Sequence, residues 1–173
     1  VIMIPASISP ATIGLLLLLF FAKNPVGKLI NDLLLFVNDV KGIIIAQFVI
    51  GIPVGISYFT ALFSTIPRSY DESALTMGFK HVEILYRLLT PMIKEYIVAG
   101  YILVFTRVLG DFGASFIVGG GILGKTVTLP VFMYIVNQIG DLALLSISII
   151  LYVSSILIIM LVTHHVEKLW GFK

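Results

Sequence analysis

Apolar positions in this chain fall in long unbroken blocks instead of alternating with polar ones. Ile2–Ala22, Ile43–Phe63 and Leu142–Thr163 each run without an Asp, Glu, Lys or Arg. A helix needs about 20 predominantly apolar residues to cross the hydrocarbon core of a bilayer, so these blocks predict three spans, about 2–22, 43–63 and 142–163. A fourth block, 96–118, is apolar except for Arg107 and Asp111. A shorter apolar piece, Val127–Val136, is too brief to cross and reads as a re-entrant or interfacial segment. Between the second and fourth blocks lies the one long polar stretch, 64–95. The pattern predicts an all-α polytopic transmembrane helical bundle with a polar loop standing outside the membrane.

Composition sharpens this reading. Of 173 residues, 59% are hydrophobic and 12% charged, where a soluble domain carries about a quarter charged residues. Eleven basic and nine acidic side chains are too few to cover a water-facing surface, so the partner of that surface is lipid. The net charge of +2 gives no reason to invoke nucleic acid. Cysteine is absent, which excludes thiolate metal sites and leaves the redox compartment unread. His81, His164 and His165 lack metal-ligand spacing and suit a role at a cytoplasmic interface. Trp170 reads as an interfacial anchor. The apolar start lacks a basic flank and is too long for a signal peptide, and spans preceding Val1 are expected.

With four crossings, the 64–95 loop and the C-terminal tail share one side of the membrane. That side carries Arg68, Lys80, Arg87, Lys94, Lys168 and Lys173, against Lys23, Lys28, Lys41 and Lys125 on the other. The excess of basic residues places the loop in the cytoplasm and the chain in the cell membrane as a multi-pass protein. Pro5, Ser7, Ser9 and Pro10 interrupt the first crossing, either as a kink that packs with its neighbours or as part of a substrate path. Within the loop, Ser69 and Glu72 have capping-box spacing, with Asp71 and Glu72 suited to a helix N-terminus. Gly78 offers a C-terminal stop. A second short helix is expected to end before Pro91, because the residue before proline avoids helical geometry.

Glu72-Ser73-Ala74, then Gly78, then Leu88-Leu89-Thr90-Pro91, resembles the EAA motif of ABC importer permeases. The spacing agrees at every element; Ser73 replaces an Ala and Thr90 a Leu. The resemblance implies a coupling helix, carried by Glu72, Ser73, Ala74, Gly78 and Pro91, that docks in a groove of a cytoplasmic ATPase. Small side chains at 73 and 74 and a sharp turn at Gly78 suit such a contact. Three further segments resemble the molybdate/tungstate branch of that family. Pro5 to Gly14 is similar to P-L-V-L-P-P-x-x-x-G, and Phe105 to Ala114 to F-A-R-A-L-G-E-F-G-A with Asp111 for Glu. Gly120 to Pro130 is similar to G-N-I-P-G-K-T-Q-T-L-P. Sulfate permeases share much of this pattern.

The resemblance covers nearly the whole chain and corresponds to the C-terminal four of six spans. It implies import of an oxyanion by ATP-driven alternating access. The partners it implies are a pair of ATPase subunits that bind ATP and Mg, an extracytoplasmic substrate-binding protein and a second permease copy in a homodimer. No cofactor is expected in this chain. Arg107 and Asp111, four residues apart, would share one helix face and pair. Either Arg107 offers the anion charge-assisted hydrogen bonds with Asp111 restraining it, or the pair is structural. Ser9 and Thr12 join Arg107 and Asp111 as candidates for the substrate path, while Gly110, Gly113 and Ala114 suit close helix packing. No phosphate-binding glycine loop or catalytic constellation is present, which argues against an enzyme. A secondary transporter or channel is the rival reading; it has no use for a helix pair with EAA spacing.

Overall fold

A computed structural model describes the backbone of residues 7–169, and the side chains of these except at positions 68, 70, 71 and 164–169. Pro5 and Trp170 therefore lie outside the described residues, as do the side chains of His164 and His165. The described residues are helical and carry no strand.

Helix α1 spans Pro10–Lys23. Proline is tolerated in the first turn, where its missing N–H has no intrahelical partner to lose. Ser9 caps the helix, its hydroxyl accepting from the Thr12 amide at 3.2 Å. Pro10 thus starts the helix and does not kink it. Its 14 residues reach about 21 Å, less than the roughly 30 Å of a hydrocarbon core. At Asn24 the chain turns by 88° into α2, Pro25–Leu34. The Asn24 side chain caps this second helix by accepting from the amides of Val26 and Gly27.

Helix α3, Val40–Ser64, is long enough to cross, about 38 Å. Asp39 caps it, accepting from the Lys41 amide at 3.2 Å. After α4, Arg68–Thr76, a continuous helical rod runs from His81 to Leu109. It comprises α5, His81–Glu83, a π-helical stretch, Ile84–Leu89, and α6, Thr90–Leu109. Pro91 was expected to end a short helix, and the rod passes through it. A proline ring collides with the carbonyl four residues back and has no N–H to donate. The widened π turn just before it accommodates both defects, with the Thr90 amide reaching back five residues to the Leu85 carbonyl and the Thr90 hydroxyl joining it at 2.8 Å.

The rod packs antiparallel along α3. Gly100 lies against Tyr58, the Gly55 position beside Val104, and Gly51 against Val108. At Gly110 the rod stops. A separate short helix, α7, Gly113–Gly119, continues along the remainder of α3, where Gly119 meets Ile43 and the Val118 carbonyl accepts from the Asn38 amide. The expected span 96–118 is therefore two helices broken near the middle of α3. Helix α1 runs parallel to α7, and Ile13, Ala46, Ile50, Ala114 and Val118 form the core where α1, α3 and α7 meet. Helix α8, Leu129–Ile139, covers most of the short apolar piece, and α9, Leu142–Leu169, contains the last long block. Tyr134 of α8 packs on Phe112 and Phe116, with ring centroids 4.9 and 5.6 Å apart.

Candidate functional site

Two places gather the residues singled out by sequence. The first is the polar loop. Helix α4 begins at Arg68 with Pro67 as its N-cap, and no side chain caps it. The expected capping box from Ser69 to Glu72 does not form, because the helix starts ahead of Ser69 and leaves that residue inside the first turn. The C-terminal end follows the expectation closely. Gly78 has a φ of +87°, its amide bonds the Leu75 carbonyl at 3.0 Å, and the Phe79 amide bonds the Ala74 carbonyl at 3.1 Å. These are the two bonds of a Schellman motif, which needs a left-handed residue at this position. The next turn is braced by Glu83, whose carboxylate accepts from the Lys80 amide at 3.1 Å.

Glu72, Ser73, Gly78 and Pro91 are exposed, while Ala74 is buried. Beside them, Leu75, Met77, Val82, Leu85 and Tyr86 are exposed apolar side chains on the segment that separates α3 from α6. This surface was not singled out by sequence; the signal was apolar residues spaced through an otherwise polar stretch.

The second place is the break between α6 and α7. Asp111 is only 2% exposed, yet it has lost no hydrogen bonding. One carboxylate oxygen accepts from the Ala114 amide at 3.3 Å; the other accepts from the Ser115 amide at 2.9 Å and the Ser115 hydroxyl at 2.6 Å. From the residue before the N-cap, Phe112, the Asp111 side chain thus caps the first-turn amides of α7, where a carboxylate suits the positive end of a helix. Arg107 sits in the last turn of α6 with an exposed side chain, where a cation suits the negative end. No ion pair joins Arg107 to Asp111 among the described residues. The expected pairing fails because the helix ends between them, so the four-residue spacing does not place them on one face.

Ser9 and Thr12 lie near this break, their hydroxyls 2.8 Å apart. A Cβ on Gly113 would lie 2.8 Å from the Ala11 nitrogen, and one on Gly14 would lie 2.8 Å from the Ala114 Cα. These glycines let the start of α7 lie directly on the start of α1. Gly110, also expected to permit close packing, has nothing nearer its Cβ direction than the Tyr152 hydroxyl at 3.5 Å. The geometry brings Ser9, Thr12 and Asp111 to the meeting point of two helix starts, with Arg107 exposed in the last turn of α6. Ser115, buried beside them, was not singled out by sequence; an Asp with a Ser four residues beyond it was the signal.

At one end of the helices, the Lys125 ammonium bonds both the Asp39 carboxylate and the Asn38 carbonyl, each at 3.0 Å. The Lys125 contact, with help from the Lys41 amide, holds the Asp39 carboxyl below its ordinary value of 3.8. Thr126 closes the same loop, accepting from the Ile122 amide and donating to the Gly119 carbonyl. Among the described residues no cluster of His, Asp and Glu could hold a metal.

Comparison with known proteins fits this arrangement. The family described as "binding-protein-dependent transport system inner membrane component" matches residues 1–171. A probable transport system permease protein, NifC, from Clostridium pasteurianum is 32% identical over 161 residues, covering 92% of this chain and 56% of that protein. The sulfate transport system permease protein CysW of Synechocystis is 33% identical over 132 residues, 75% of this chain and 48% of that protein. The molybdenum transport system permease protein ModB of Haemophilus influenzae is 29% identical, covering 78% of this chain and 60% of that protein. The chain spans about half the length of the curated relatives it matches. Three described helices are long and apolar enough to cross a membrane, or four if α1 and α2 count as one bent span, as a multi-pass membrane protein requires. The chain belongs to the family of binding-protein-dependent transport system inner membrane components.

Proposed function

We propose that this chain is the membrane-spanning permease subunit of a binding-protein-dependent ABC importer, and that its cargo is a tetrahedral oxyanion, molybdate or tungstate. The observation that carries the proposal is the loop between α3 and α6. It has EAA spacing, a left-handed Gly78 that closes the end of α4, and exposed apolar side chains at Leu75 and Met77 between the long helices. Exposed apolar patches of this kind mark protein contacts. Glu72, Ser73, Ala74, Gly78 and Pro91 form the coupling element, placed in the cytoplasm, on which a pair of ATPase subunits docks. ATP and Mg are bound by those subunits. Closure of the ATPases moves the docked loops, and the spans of two permease copies alternate access. An extracytoplasmic binding protein supplies affinity and delivers the anion.

Arg107, Ser9 and Thr12 line the path in this reading. An exposed arginine at membrane depth is costly unless it meets water or an anion, and the two hydroxyls offer neutral hydrogen bonds to oxyanion oxygens. Asp111 holds the break open from within. Sulfate is the second reading, favoured by the sulfate permeases among the relatives; it shares the dianion's charge and tetrahedral shape. The test is reconstitution of the full-length protein with its ATPase and binding protein in liposomes. ATP-dependent uptake of labelled molybdate, competed by tungstate and resisted by sulfate, is expected. Uptake without the ATPase would overturn the importer reading, and preference for sulfate would replace the cargo.

A further inference from the structure

The segment between α1 and α3 does something that neither crossing nor cargo requires. It leaves α1 at Lys23, turns by 88°, forms α2 and comes back to the same level, where Phe36 stacks on Phe21 with centroids 5.1 Å apart. Gly42 of α3 then packs on the Phe36 carbonyl. An element that returns to its point of departure does not carry the chain onward across a membrane, and its axis is nearly perpendicular to α1.

Its side chains are sorted for that position. At 100° per residue, Val26, Leu29 and Leu33 fall within one narrow sector and Lys28 and Asp32 within another. The three apolar side chains are 61%, 62% and 74% exposed. The remaining side, where Leu34 at the C-terminal end stays 50% exposed, carries the attachments. Gly27 abuts the Phe20 carbonyl so closely that any Cβ would collide with it, and the Asn31 side chain accepts from the amides of Phe36 and Val37 at 2.9 Å each. The bend is therefore fixed at both ends. Helix α1, which meets α2 at the bend, likewise carries exposed apolar side chains at Leu15, Leu16, Leu19 and Phe20.

We infer that α2 is an interfacial helix whose Val26, Leu29 and Leu33 are seated in the boundary between lipid headgroups and acyl chains, with Lys28 and Asp32 facing water. Segregated apolar and charged faces on a short helix in the membrane plane are the pattern such helices use. Lys23 and Lys28 stand where lipid phosphates would meet them. The helix fixes the depth of α1 and of the α3 entry, and the inference is independent of the cargo.

These 173 residues contain no cysteine, so once any cysteine outside them is replaced by serine, single nitroxide labels at Val26→Cys, Leu29→Cys, Leu33→Cys, Lys28→Cys and Asp32→Cys report cleanly. The full-length protein is reconstituted in liposomes of phosphatidylethanolamine and phosphatidylglycerol, and collisions with oxygen and with a water-soluble nickel chelate are measured. Labels at 26, 29 and 33 should collide with oxygen and show several-fold fewer chelate collisions than labels at 28 and 32. High chelate access at all five positions would overturn the inference by placing the helix in water. Shielding of 26, 29 and 33 from both reagents would overturn it in favour of a protein contact.

Discussion

Replacing Gly78 separates a backbone requirement from a steric one. At φ +87° the residue is in the left-handed region, which costs an L-residue about 1–2 kcal/mol. A Cβ at Gly78 would meet nothing within 4 Å, so the cost of a side chain in the free protein is conformational alone. Alanine should sit at the lower end, about 1 kcal/mol, and valine, branched at Cβ, at about 2 kcal/mol or above. One to two kcal/mol lowers the population of the closed Schellman turn by roughly 5–30-fold. Asparagine is larger than alanine but enters this region more readily. The expected order of coupling is therefore Gly, Asn, Ala, Val, read as anion imported per ATP hydrolysed in liposomes holding the full complex. Gly78→Val should reach the membrane in normal amount and lose coupling or the ATPase. An order that tracks side-chain volume, with Asn worse than Ala, would refute the backbone argument and point to a collision with the docked partner. Normal coupled transport by Gly78→Val would remove the coupling role itself.

Four further outcomes are expected. Asp111→Ala leaves the Ser115 hydroxyl and two amides buried without their acceptor, at about 1–3 kcal/mol for a buried unsatisfied group, and should lower the yield of folded protein extracted from membranes; an unchanged yield refutes the capping role. Arg107→Gln should keep that yield and slow uptake per complex, and adding it to Asp111→Asn should rescue nothing, because there is no ion pair to balance; a rescued yield would restore the paired reading. The Asp39 carboxyl is held below its ordinary value by Lys125 and the Lys41 amide, so its contribution is full above pH 3.8 and lost as pH falls through the depressed value. Amide exchange of the 120–126 loop should accordingly be flat from neutral pH to about pH 4 once corrected for intrinsic rates, and raised throughout in Asp39→Asn; equal exchange in the two proteins refutes the tie. Cysteines placed at Lys80 and Lys125 should label from opposite sides of the membrane, Lys80 from the cytoplasm; labelling of both from one side overturns the proposed sidedness.

The long apolar blocks identified α3 and α9 because their composition leaves no alternative to a helix in lipid. Turn chemistry was legible where a single residue decides it, as at Gly78. It failed at Pro91, where a π turn absorbs what proline removes, and at Ser69, where the helix begins earlier than the capping spacing suggests. In both cases the local preference is worth about 1–3 kcal/mol, within reach of the packing and continuity of a long helix. The tie between Lys125 and Asp39 joins residues far apart in sequence, and nothing local to either announces the other.

The misreading at Arg107 and Asp111 has a more general cause. An arginine with an aspartate four residues beyond it describes an ion pair only if the helix continues between them. The same spacing also describes a basic residue closing one helix and an acidic residue opening the next. Inside a membrane both solutions lower the cost of two charges, the first by pairing them and the second by giving each a helix end. The sequence does contain the deciding information, in Gly110 and Gly113 on either side and in Ser115 four residues beyond the aspartate. With the break, Ser115 bonds Asp111 and Gly113 admits the backbone of α1. Arg107 has no ion-pair partner among the described residues, so under the proposed function its charge is available to the anion.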